Sequence, residues 1–169
     1  MPIIMKNTAD NCQKPPKTFK ITIKIVDDKV KGKVKGKQTA NPRTLTYQQI
    51  FNRVWRHIIK QGGPAMDGNT CAYRAKNGRK CGIGVLIPDD MYEKQIEGMT
   101  VCNLEEPFLK KCRLPAADDD MFFLRKIQSC HDQACDYPDF IGTFKKEMRY
   151  VAKKYKLTVP KKQAKQKKR

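Results

Sequence analysis

The chain has 169 residues, enough for one domain with tails, and its 36 Lys+Arg against 17 Asp+Glu give a formal charge of +19. Hydrophobic residues make up 39%, below the roughly 45–50% of an ordinary globular chain, so part of the sequence lies outside any core. No apolar run approaches the ~20 residues of a membrane span, and the apolar stretch ahead of Lys6 is too short for a signal-peptide core.

The charge is concentrated at the ends. Residues 1–43 hold 11 basic and 3 acidic side chains, and residues 153–169 hold 9 basic and none acidic. Between them, residues 44–152 hold 16 basic and 14 acidic, an ordinary near-neutral segment. Basic arms flanking such a segment attract polyanions, so nucleic acid is the expected partner and an acidic protein the alternative. Seven cysteines without a secretory signal argue for a reducing, cytoplasmic setting and against a disulfide framework.

Residues 1–17, with Pro15-Pro16 and no periodicity, are expected to be disordered. Residues 18–43 are expected to form a basic β-hairpin and linker. Phe19, Ile21, Ile23 and Ile25 alternate with Lys20, Thr22 and Lys24. After Asp27-Asp28, Val30 and Val34 alternate with Lys29, Lys31, Lys33, Lys35 and Lys37. Lys24 opposite Lys31, and Lys20 opposite Lys35, would repel unless an anion neutralised them. A Lys-rich edge that blocks aggregation is the other reading of this pattern.

A first helix begins at Thr46, with Gln49 completing a capping box and Leu45 and Ile50 at the staple positions. Tyr47, Ile50, Phe51, Val54, Trp55 and Ile58 form its apolar stripe, and Gly62-Gly63-Pro64 ends it. Residues 71–76 and 79–85 flank Asn77-Gly78, a strong hairpin signal. In a two-residue register Cys81 opposes Arg74, and Cys71 and Cys81 point to opposite faces. Pro88, Asp89 and Asp90 open a short helix closed by Gly98, and residues 99–117 read mostly as loop. Asp118-Asp119-Asp120 precede a helix over 121–134, and Pro138-Asp139 begin the last. Phe140, Phe144, Met148, Val151 and Tyr155 form the core face of that last helix.

His131 and Cys135 lie four apart on one helical face and would offer two zinc ligands, where a structural site takes four. Cys81, His57, His131 and Asp132 would supply a thiol–imidazole–carboxylate site if the fold gathered them. Arg74, Lys76, Arg79 and Lys80 crowd the tip of the second hairpin beside Tyr73, suited to phosphate contact and stacking.

The block Cys71-Ala72-Tyr73-Arg74, Asn77-Gly78, Cys81, Gly84-Val85-Leu86-Ile87-Pro88-Asp89, Tyr92 and Glu97-Gly98, with Leu124, Gln128 and His131-Asp132, resembles small proteins of bacteriophages and bacteria. The similarity spans roughly residues 47–157 and leaves out both arms. It implies a compact domain in a phage or prokaryotic setting, and a joint importance for His57, Tyr73, Cys81, Asp89, His131 and Asp132. The resemblance brings no activity with it.

The expectation is therefore an α+β protein: a Lys-rich hairpin, a globular domain of about four helices and a β-hairpin over 44–157, and a disordered basic tail over 158–169. Nucleic acid would be held mainly through its phosphates by Lys20, Lys24, Lys29, Lys31, Lys33, Lys35, Lys37, Arg74, Lys76, Arg79 and Lys80. Lys161, Lys162, Lys165, Lys167, Lys168 and Arg169 of the tail would join them. No catalytic residue, metal ligand or cofactor is assigned, and no membrane partner is expected. The alternatives are a phage protein that redirects a host protein or the ribosome, and a Cys/His-dependent enzyme.

Overall fold

A computed structural model describes residues 43–161, within a compact unit that starts at Arg43. The hairpin expected over 18–43 and the tail beyond Lys161 lie outside the described residues. Four α-helices and one two-stranded antiparallel sheet build an α+β domain: α1 (Tyr47–Gln61), β1 (Met66–Asp67), β2 (Thr70–Cys71), α2 (Glu106–Lys111), α3 (Asp118–Cys135) and α4 (Phe140–Lys154). Among the described residues, no helix is long and apolar enough to cross a membrane.

Helix α1 begins as its sequence dictates. The Thr46 hydroxyl accepts the Gln49 N–H, the Gln49 side chain accepts the Thr46 N–H, and Gly62 closes the helix at φ +76°. The stripe of Ile50, Phe51, Val54, Trp55 and Ile58 is buried. Helix α4 follows its expected face too, with Phe140, Phe144, Met148 and Val151 inside and the Asp139 carboxylate capping Gly142 N–H at 2.9 Å. Helix α3 packs chiefly on α4, and α1 lies against both. Rings bind the layers: Tyr47 stacks on Phe123 at 4.0 Å, and Tyr155 meets Phe123 edge-on at 5.0 Å.

The middle of the chain departs from expectation. The sheet pairs Met66 with Cys71 and Asp67 with Thr70, upstream of Asn77-Gly78. Around Asn77-Gly78 there is one bridge, Arg74 to Lys80, with Ala75 N–H on Arg79 O at 2.9 Å. The loop therefore holds three residues rather than two, and Arg74 faces Lys80 instead of Cys81. Residues 81–86 are not a strand. The chain coils there, with Val85 N–H on Cys81 O and Leu86 N–H on Ile83 O. Two close approaches force the coil: a Cβ on Gly84 would lie 1.9 Å from Tyr73 O, and one on Gly82 would lie 3.0 Å from Ile127 O. Both glycines thus sit where backbone packs closely within a coil.

The helix expected from Pro88 to Gly98 is two 3-10 turns, Asp89–Met91 and Lys94–Ile96, parted by extended backbone at Tyr92 and Glu93. Between residues 99 and 117 lie a 3-10 turn, Val101–Asn103, and α2, in whose first turn Pro107 is tolerated because its missing N–H would be unbonded anyway. Helix α3 takes in the acidic triplet as its first turn, and Asp120 accepts the Ala117 N–H at 3.0 Å. Thr158 and Val159, assigned to the tail from sequence, belong to the domain. Thr158 N–H donates to Gln48 Oε1 at 2.8 Å, and Val159 packs against the core.

Candidate functional site

Glu97 organises the polar side chains around the coil that follows Lys80. Its carboxylate accepts Tyr73 N–H at 2.8 Å, Arg74 N–H at 2.9 Å and the Tyr92 hydroxyl at 2.7 Å. The Arg74 guanidinium lies 4.3 Å from the Tyr92 ring centre, donates to Ile87 O and Pro88 O, and pairs with Asp89 at 2.7 Å. Lys80 reaches the same carboxylate at 2.7 Å, and the two cations hold Asp89 below the usual carboxylate range, the Lys80 hydrogen bond most of all. Arg79 donates to Pro64 O at 3.3 Å. Tyr73 is buried, with its hydroxyl on Met99 O at 2.8 Å, so its ring offers nothing to stack on. Of the four basic residues at this tip, Arg74, Arg79 and Lys80 hold the fold together and Lys76 is exposed.

Beneath this layer lies His131, 0% exposed and carried by the next-to-last turn of α3. Its Nε2 accepts the Ala65 backbone N–H at 3.2 Å, which puts the single proton of a neutral ring on Nδ1. Nδ1 faces Cys71 Sγ at 3.2 Å, the Asp132 carboxylate at 3.4 Å and Cys135 Sγ at 3.7 Å. The two sulfurs are 3.3 Å apart. Burial and the Ala65 N–H favour the neutral ring, while Asp132 and Cys135 favour the imidazolium.

The thiols differ. A hydrogen bond from Cys71, with help from His131, lowers Cys135 to about 6. The hydrogen bond to Cys135, burial and the nearby Asp132 raise Cys71. Of the two, Cys135 is the more readily ionised. When Cys135 is protonated, the His131 carbonyl oxygen lies 3.2 Å from its sulfur.

Cys71, His131 and Cys135 present three candidate metal-ligand atoms within 4.8 Å of one another. A metal would need the Nδ1 lone pair, and with it a proton on Nε2, where the Ala65 N–H already points. The ring does not act as a relay either. In a thiol–imidazole–carboxylate relay the two nitrogens divide between thiol and carboxylate; here Nδ1 faces both and Nε2 takes backbone.

Cys81 and His57, named from sequence as members of such a site, are engaged elsewhere. Burial pushes Cys81 up to about 12, and its sulfur accepts Gly84 N–H at 3.4 Å. His57 pairs with Gln61 at 3.0 Å, and burial lowers it. Cys71 and Cys81, expected on opposite faces, line one cavity of about 10 Å³ with Tyr73, Gln128 and Asp132, since Cys71 pairs with Met66 and Cys81 opens the coil, so no hairpin register relates them. Cys71, the partner that sequence reasoning missed, reaches α3 from β2, some sixty residues away in the chain, a distance over which spacing carries no signal.

A second feature is electrostatic. Helix α1 contains no acidic residue, and Gln49, Arg53, Arg56 and Lys60 lie exposed on the side away from the core. Helix α4 exposes Lys146, Arg149 and Lys153 at helical spacing, and Arg149 reaches over Trp55 of α1 at 5.9 Å. The segment that leads into α1 is pinned where Arg113 donates to Arg43 O at 2.9 and 3.0 Å. The segment that leaves α4 is pinned to Gln48 at Thr158. Arg43, just ahead of α1, and Thr158, bonded to Gln48, thus both lie toward the N-terminal end of α1. Compared with known proteins, the chain matches no family model, no curated protein and no solved structure.

Proposed function

We propose that the protein binds nucleic acid through phosphate contacts, with the exposed face of α1 as the part of the surface that the domain itself contributes. The observation that carries this reading is the outer face of α1, Arg53, Arg56 and Lys60 with no acid among them, in a chain of formal charge +19. Clustered cations repel one another, and a polyanion relieves that repulsion while releasing its own counterions. Gln49 and Asn52 beside them offer amide groups that can meet phosphate or base edges. Lys76, exposed at the loop tip, belongs to the same reading; Arg74 and Lys80, occupied by Asp89, contribute less than free side chains would.

The test is a titration of labelled duplex DNA, single-stranded DNA and structured RNA with the wild-type chain and the Arg53→Gln/Arg56→Gln variant. Both positions are exposed, so the variant keeps the fold. Binding is expected to weaken about tenfold or more, with the salt slope reduced by about 2, roughly 1 for each phosphate that is no longer neutralised. Unchanged affinity and slope for every nucleic acid would remove α1 from the interface. Capture of one host protein that survives nuclease treatment, without nucleic-acid binding, would put a protein partner in its place.

A further inference from the structure

We propose that Cys71 and Cys135 form a redox-active dithiol, oxidised by hydroperoxide to a disulfide that ties β2 to α3. Three observations meet here. The sulfurs stand 3.3 Å apart and need a further approach of little more than 1 Å to reach the ~2.05 Å of a disulfide. The Ala65 N–H fixes the His131 proton on Nδ1, where it faces both sulfurs as a donor. Both cysteines are partly exposed, whereas Cys81, Cys112 and Cys130 are buried.

The chemistry balances with hydrogen peroxide as the oxidant. The Cys135 thiolate sulfur attacks one peroxide oxygen, the O–O bond breaks, and hydroxide leaves; Cys135 becomes a sulfenic acid. The Cys71 sulfur then attacks the sulfenic sulfur, the S–O bond breaks, and the Cys71 proton departs with the hydroxyl as water. Two electrons pass from the sulfur pair to one peroxide, and the products are the disulfide, one hydroxide and one water. His131 acts here as a positioning residue, since its Nδ1–H stabilises the attacking thiolate. The low affinity of Cys135 for its proton keeps it ionised near neutral pH.

The full chain is purified without added metal, reduced, and treated with one equivalent of hydrogen peroxide. The expected result is a mass loss of about 2 Da and a proteolytic peptide pair joining Cys71 to Cys135. With Cys71→Ser, the sulfenic acid on Cys135 persists and is trapped by dimedone. Iodoacetamide modifies Cys135 of the wild-type chain at least about tenfold faster than Cys81 at pH 7. Its rate rises through about pH 6 rather than near the ordinary thiol value of 9. Two results would overturn the proposal: oxidation that leaves Cys71 and Cys135 unjoined, or stoichiometric zinc in the purified chain that must be chelated before either thiol reacts. The wild-type peptide map decides the matter even if a cysteine variant misfolds.

Discussion

Glu97 is the residue on which the middle of the domain turns. Its two oxygens satisfy two successive backbone N–H groups and one phenol, and Arg74 lies across the same Tyr92 ring. Replacing it by alanine orphans three donors at once, each worth ~1–3 kcal/mol when buried, though solvent reaches part of this site. We expect Glu97→Ala to lose about 2–4 kcal/mol in urea denaturation and Glu97→Gln distinctly less, because the amide keeps one acceptor. Equal losses for the two variants would mean that the charge, not the geometry, holds the coil. The block from Cys71 to Gly98 thereby gains a physical account. Tyr73, Arg74, Asp89, Tyr92 and Glu97 bond to one another, and Gly84 has no room for a side chain against Tyr73 O.

Elements whose signals are local follow their sequence closely. Helix α1 is set by Thr46, Gln49 and Gly62, all within reach of the residues they cap. Thr46→Ala is expected to cost about 1 kcal/mol of stability, read as a shift of the urea midpoint with unchanged slope. A loss within error would show that core packing of Ile50, Phe51 and Val54 alone fixes the helix start. Helix α4 is legible for the same reason, since its apolar period and its Asp139 cap are both local. The second hairpin is not. Asn77-Gly78 does turn the chain, but its register depends on Gly82 and Gly84 being pressed onto Ile127 and Tyr73, packing that no turn rule contains. The thiol–imidazole cluster is half visible in the sequence. The four-residue spacing of His131 and Cys135 puts them on one face, whereas Cys71 joins them only through the placement of β2 against α3.

At the scale of the molecule, composition and fold bear on different questions. The described domain, residues 43–161, holds 21 basic and 14 acidic side chains around an aromatic and aliphatic core; the segments outside it carry most of the +19 charge. The exposed cations of α1 give the domain a basic face of its own. A flexible basic arm alone would bind any polyanion through its charge, whereas a rigid helix face adds fixed spacing between its cations. The sharpest experiment is therefore the salt dependence of nucleic-acid binding by the full chain and by residues 43–161. A steep slope is expected for the full chain and a shallower but measurable one for residues 43–161, abolished by Arg53→Gln/Arg56→Gln. Absence of binding by the full chain even at low salt would contradict a phosphate-binding role for the arms and for α1 alike.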